Sequence, residues 1–126
     1  MQVTVFIQAY NTERLVGECI DSVLGQRGAW DFEVLVIDDA STDGTVREIE
    51  RFSEPRLRVV RHATNTGAIA TANEGYAAST GEFVVRVDSD DRLRPEFLER
   101  AVPALAATLV GRRVYDSLKA RVATAG

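Results

Sequence analysis

Asp88-Ser89-Asp90-Asp91 places three carboxylates in four residues, directly after the apolar run Phe83-Val84-Val85-Arg86-Val87. A strand that ends in clustered acids presents hard oxygen ligands at the mouth of a sheet. A divalent cation bridging to phosphate suits such a cluster better than a solvated turn does. Left alone, the carboxylates repel one another and raise one another's pKa. Bound Mg²⁺ or Mn²⁺ removes that repulsion, and magnesium typically takes one or two carboxylates plus substrate phosphates. Asp88 and Asp90 are therefore the candidate metal ligands. Asp91 reads instead as a cap or dipole partner for a helix entered at Pro95.

A second acidic pair, Asp38-Asp39, follows the apolar run Val34-Leu35-Val36-Ile37. A carboxylate here can accept the imide N–H of uracil or the paired donors of guanine. Asp39 is assigned to ligand contact. Asp38 keeps two readings, ligand contact or a brace bonding backbone N–H groups of the Ser41-Thr42-Asp43-Gly44 turn. After the first apolar run comes Tyr10-Asn11, a ring able to flank a nucleobase and an amide suited to capping the next helix. Asn65-x-Gly67 and Asn73-x-Gly75 are individually ordinary turn formers. His62, the one histidine, stands at a strand end and reads as structural or exposed. Trp30 reads as core or as a cover between helix and strand.

These residues need a frame that brings them to one edge. Residues 3–7 form a short apolar run suited to a buried strand. Leu15, Val16, Cys19, Ile20, Val23 and Leu24 then recur at helical spacing, with Asn11 or Thr12 as the expected cap and Gly28 past the end. Strands are expected at 33–37, 57–61 and 83–87. Helices are expected around Val46, Ile49 and Phe52, over residues 68–79 with Gly75 as a weak spot, and from Pro95, where Pro103 should kink or shorten the helix. Arg113-Val114-Tyr115-Asp116 can form a fifth strand. Four alternations of strand and helix favour a parallel sheet covered on both faces, whose ligands bind beyond the carboxyl ends of the strands. Asn11, Asp38, Asp39, Asp88 and Asp90 should share that edge.

At 126 residues, 45 % of them apolar, the chain suits one domain with a real core. A net charge of −4 argues against a nucleic-acid binder. Lys119 is the only lysine, so arginine carries the positive charge. Cys19 stands alone, which excludes an internal disulfide, and its place on an apolar helix face points to packing. Residues 1–5 read as a strand and not a leader, and no apolar run approaches a membrane span. The expected location is cytoplasmic, at the inner face of a membrane where partners hold the chain there. Walker A, Gly-x-Gly-x-x-Gly and Gly-x-Ser-x-Gly patterns are missing, so phosphate must be held by metal and arginine. A receiver-type signalling domain has similar size and alternation, but it needs an acidic pair after the first strand, where Gln8-Ala9-Tyr10-Asn11 stands.

The ordered set of motifs resembles the family-two glycosyltransferases of GT-A fold. Residues 3–11 look like that family's opening strand, residues 19–26 like its first helix and residues 31–45 like its second strand and loop. Asn65-Thr66-Gly67, Asn73-Glu74-Gly75, Gly81-Glu82-Phe83 and Val87-Asp88-Ser89-Asp90-Asp91 follow in the family's order. The resemblance covers residues 2–105. It implies a Rossmann-like, mostly parallel α/β sheet with helices on both faces, the nucleotide-binding half of a GT-A domain. It further implies inverting transfer of a sugar from a nucleotide diphosphate, usually UDP, to a glycan, lipid or protein acceptor, with Mn²⁺ or Mg²⁺ as cofactor. By position it implies donor contacts at Gln8, Ala9, Tyr10, Asn11, Asp38, Asp39, Asn65, Gly67, Asp88 and Ser89, and an Asp-x-Asp metal pair at Asp88 and Asp90.

Three departures stand out. Gln8 occupies a position where the family commonly has proline, and Ala72 one where many members have arginine. The family's acceptor half, with its carboxylate base, has little room after Leu105, where Glu96, Glu99 and Asp116 are the nearby acids. The chain is thus expected to be one truncated domain over residues 1–126 that self-associates through the surface a short second half leaves. A noncatalytic nucleotide-sugar-binding or assembly module is the alternative to an enzyme.

Overall fold

The computed structural model describes residues 2–107 and 124–125. Nine elements follow one another: β1 (Val3–Ala9), α1 (Val16–Leu24), β2 (Phe32–Asp38), α2 (Thr45–Glu50), β3 (Leu57–Arg61), α3 (Ala68–Ala78), β4 (Phe83–Asp88), α4 (Phe97–Ala107) and β5 (Thr124–Ala125). The strands form one sheet in the order β3-β2-β1-β4-β5, every pairing parallel. The expected α/β architecture is the one observed. The conceivable strand at Arg113-Val114-Tyr115-Asp116 lies outside the described residues.

Alternation along the central strands divides the core. Val3, Val5, Ile7 and Ala9 of β1 face α1, α2 and α4, where Val16, Cys19, Ile20, Val23, Ile49, Leu98 and Val102 complete a buried cluster. Phe6, Leu35 and Ile37 form a smaller cluster on the opposite face. There α3 comes down so closely that a Cβ on Gly75 would meet the Phe6 ring at 2.2 Å. The glycine that weakens this helix by propensity is thus what lets it reach the sheet. Trp30 packs on the main cluster and donates Nε1–H to Arg27 O at 2.6 Å, in keeping with a cover.

One expectation about helix ends is corrected. Neither Asn11 nor Thr12 caps α1 with its side chain. The helix starts at Val16 with no side-chain cap, after a turn in which the Leu15 and Val16 N–H groups donate to Thr12 O. Both side chains are instead engaged across the loops described below. Pro103 does not end α4, which runs to Ala107. A proline six residues inside a helix removes one hydrogen bond, and here buried Leu98, Val102 and Leu105 anchor the helix on either side of it.

Candidate functional site

Register decides which side chains meet. β1 runs two residues further than its apolar core, so that Gln8 pairs with Asp88 and Ala9 with Asp38. The segments after β1, β2, β3 and β4 therefore emerge at one edge of the sheet. A cavity of about 410 Å³ opens there, within the usual range for small-molecule sites. Gln8, Ala9 and Tyr10 line it from β1, Asp39 from β2, and Asn65 and Gly67 from the loop after β3. Asp88, Ser89 and Asp90 close it from β4. Thr12, expected from sequence only as a helix cap, and Ala68 complete the lining. A larger cavity of about 660 Å³ lies between α1 and the segment before α4, and holds none of the candidate residues.

Asn11 and Asp38 stand outside that lining and hold the loops behind it. Asn11 Oδ1 accepts from Thr42 N at 2.8 Å, and Asn11 N donates to Ser41 Oγ at 2.9 Å. Asp38 is buried and accepts from Ser41 N at 3.0 Å and Ser41 Oγ at 2.5 Å. Of its two readings, the geometry is that of the brace. Asn11 and Ala40 both take positive φ, 51° and 59°. For a non-glycine residue such backbone is held only by surroundings of this kind.

Asp39 organises the next loop. Its Oδ1 accepts from Thr66 N at 2.8 Å, Thr66 Oγ1 at 3.1 Å and the His62 ring at 2.9 Å. Its Oδ2 accepts from Gly67 N at 2.9 Å, and its backbone O from Asn65 Nδ2 at 3.1 Å. Burial pushes this carboxyl up, but the bonds from His62, Thr66 and Gly67 outweigh it and bring the pKa to about 2. Gly67 sits at φ 93° and ψ 161°, a conformation essentially reserved for glycine. Of the two readings of His62, structural or exposed, the geometry is the structural one: it is set between two carboxylates, with Glu74 Oε1 at 2.6 Å on the other ring nitrogen.

The acidic turn is fixed by backbone and hydroxyl contacts. Ser89 N donates to Gln8 O at 3.1 Å, Asp91 N to Asp88 O at 2.9 Å, and the Ser89 and Thr12 hydroxyls lie 2.7 Å apart. One carboxylate oxygen from each of Asp88, Asp90 and Asp91 lies within 4.8 Å of the others. Asp91 is thus part of the cluster. The reading of it as a helix cap fails, because α4 begins only at Phe97. Burial, then Asp90, then Asp88 push the Asp91 carboxyl up. Three carboxylates gathered this closely offer hard oxygen donors that fit Mg²⁺ or Mn²⁺. The neighbouring Cys19 thiol is pushed up to about 12 by burial and then by Asp91, Asp90 and Asp88.

Gln8 reaches from β1 to the start of α3. Its Nε2 donates to Ala68 O at 2.7 Å, while its buried Oε1 has no hydrogen-bond partner among the described residues. A buried acceptor left open costs about 1–3 kcal/mol, and this one belongs to a residue of the cavity lining.

The profile described as Glycosyl transferase family 2 matches residues 4–121. EpsE of Bacillus subtilis (strain 168) is 35 % identical over 107 residues, 82 % of this chain and 38 % of that protein. S. aureus TarS 1-349 in complex with UDP-GlcNAc superposes with a TM-score of 0.76 at 34 % identity, over 84 % of this chain and 31 % of that one. The mannosyltransferase PcManGT from Pyrobaculum calidifontis, in complex with GDP-Man and Mn²⁺, gives 0.79 at 34 % identity, over 87 % and 34 %. The chain spans between about a tenth and two fifths of the length of the curated relatives it matches.

Proposed function

The chain belongs to glycosyl transferase family 2, and from that premise we propose that it is the donor-binding portion of an inverting glycosyltransferase. In this reading it binds a nucleotide-diphosphate sugar, UDP-linked, together with a divalent cation, for transfer of the sugar to a glycan, lipid or protein acceptor. The observation that carries it is the single cavity where Asp39, Asn65 and Gly67 stand across from Asp88, Ser89 and Asp90. That the similar structures hold UDP-GlcNAc in one case and GDP-Man with Mn²⁺ in another supports it.

Each residue then has a task. Asp88 and Asp90 would hold Mn²⁺ or Mg²⁺, which when bound neutralises the departing diphosphate. Asp39 fixes the loop that receives the nucleoside, and its Oδ2, with one protein donor, keeps room to accept a base N–H. Gln8, in the same lining, carries a buried Oε1 that a nucleotide group reaching it could engage. Tyr10, 48 % exposed at the rim, can lay its ring along the base. Calorimetric titration of UDP and of GDP, each with and without Mn²⁺, tests the reading. Metal-dependent binding with UDP preferred is expected, and no binding under any condition overturns it.

A noncatalytic nucleotide-sugar module is the second reading. It is favoured by the position of Glu96 and Glu99, the acids that follow the turn among the described residues, since neither lines the cavity. Hydrolysis or transfer of a UDP-sugar separates an enzyme from such a module. Location at the cytoplasmic face of a membrane and self-association belong to the same proposal. Ile69, 80 % exposed on α3, offers an apolar contact for self-association, which sedimentation would read as a mass above the monomer's.

A further inference from the structure

His62 lies outside the cavity lining, yet its ring joins Asp39, which holds the donor loop, to Glu74 of α3. One ring nitrogen is 2.9 Å from Asp39 Oδ1 and the other 2.6 Å from Glu74 Oε1. The His62 side chain is only 12 % exposed, and that of Asp39 6 %. The charged groups facing the ring are Asp39, beyond β2, and Glu74, on α3. Thr66 adds a hydroxyl at 3.4 Å from Nδ1, and adjacent Arg61 turns away to Glu50.

Two carboxylates on the two ring nitrogens can both be satisfied only when both nitrogens carry hydrogen. A neutral ring must point a lone pair at one of them. The imidazolium also places a positive charge beside a cavity lined by Asp39, Asp88 and Asp90. An anionic diphosphate entering such a cavity meets less repulsion while that charge is present.

We propose that His62 is a positioning residue for the donor: as an imidazolium clamped between Asp39 and Glu74, it holds the 64–67 loop and offsets the cavity's negative charge, so that nucleotide diphosphate binds best when His62 is protonated. This rests on the donor-site reading above. The hydrogen bond to Asp39 raises the His62 pKa, burial opposes it, and the bond to Glu74 raises it further. The protonated form therefore persists above the ordinary histidine range.

Because His62 is the only histidine, its ring signal in the NMR spectrum of a tag-free chain is unambiguous. The proposal predicts a titration midpoint above 6.5 that rises further on saturation with UDP and Mg²⁺, since binding and protonation are linked reciprocally. It also predicts that UDP affinity falls roughly threefold to tenfold between about pH 6 and 9, and that His62→Gln flattens most of this fall. A midpoint that UDP leaves unmoved, or the same pH profile in His62→Gln as in the unsubstituted chain, overturns it. The NMR arm needs no variant, so a folding defect in His62→Gln does not shield the proposal. Should the unsubstituted chain bind neither UDP nor GDP, the donor-site reading itself falls and this inference with it.

Discussion

The hydroxyls of Thr12 and Ser89 stand 2.7 Å apart, joining the loop after β1 to the acidic turn after β4 across 77 positions of sequence. Ser89 is buried, and its N–H is held by Gln8 O at 3.1 Å. The bond therefore fixes the direction in which Asp88 and Asp90, on either side, present their carboxylates. Ser89→Ala removes one hydroxyl and leaves the backbone turn intact. A hydrogen bond of this kind contributes about 0.5–1.5 kcal/mol. Mn²⁺-dependent UDP affinity in Ser89→Ala should fall by roughly threefold to tenfold, read by calorimetry, while UDP binding without metal changes little.

Gly75→Ala tests how α3 is seated. The added methyl meets the Phe6 ring at 2.2 Å, against a side chain fully buried between sheet and helix. Overpacking of this severity costs about 1–3 kcal/mol or more, although alanine is the better helix former by about 1 kcal/mol. The collision outweighs the propensity, so urea unfolding should show a lower midpoint with an unchanged slope. A more stable variant would mean that helix propensity governs this site.

Stability should pass through a maximum in mildly acidic solution. The Asp39 carboxyl is held down to about 2, so its contribution is present above the unfolded value of about 3.8 and is lost as pH falls toward 2. His62 is shifted upward, so its contribution is complete below 6.5 and is lost as pH rises through its folded pKa. Unfolding free energy should therefore be greatest between about pH 4 and 6.5. In Asp39→Asn both flanks should flatten, since the same substitution removes the partner of His62. Chemical denaturation across the pH range checks both.

Gln8→Met separates binding from stability. The substitution removes the bond from Nε2 to Ala68 O and also the open acceptor Oε1. These effects oppose one another, so unfolding free energy should change by less than about 1 kcal/mol. UDP affinity should fall by roughly threefold to tenfold if Oε1 meets the nucleotide. Unchanged affinity would confine Gln8 to holding α3.

The frame was legible because its signals are local. Apolar runs of five residues, helical spacing in 15–24 and acids at strand ends report on near neighbours, and parallel pairing then brings those ends to one edge. The exchange between Asp38 and Asp39 was only half legible, because adjacent carboxylates look alike until the pleat turns one toward Ser41 and the other toward Thr66. The His62 clamp depends on partners 23 and 12 positions away, on two different elements, and no spacing rule reports it. Asp91 is not legible in the sequence because Pro95 suggests a helix start close by, whereas the chain turns twice before α4. The missing cap on α1 has the same origin: Asn11 and Thr12 have cap-forming side chains, but better partners in Thr42 and Ser89 claim them.

The pairing of cation with diphosphate at Asp88 and Asp90 is tested most directly by UDP affinity in the unsubstituted chain and in Asp90→Ala, each with and without Mn²⁺. A carboxylate removed from a two-carboxylate site takes with it most of the cation's hold. The account predicts that Mn²⁺ strengthens UDP binding by more than roughly tenfold in the unsubstituted chain and hardly at all in Asp90→Ala. Equal strengthening by Mn²⁺ in both chains would contradict it.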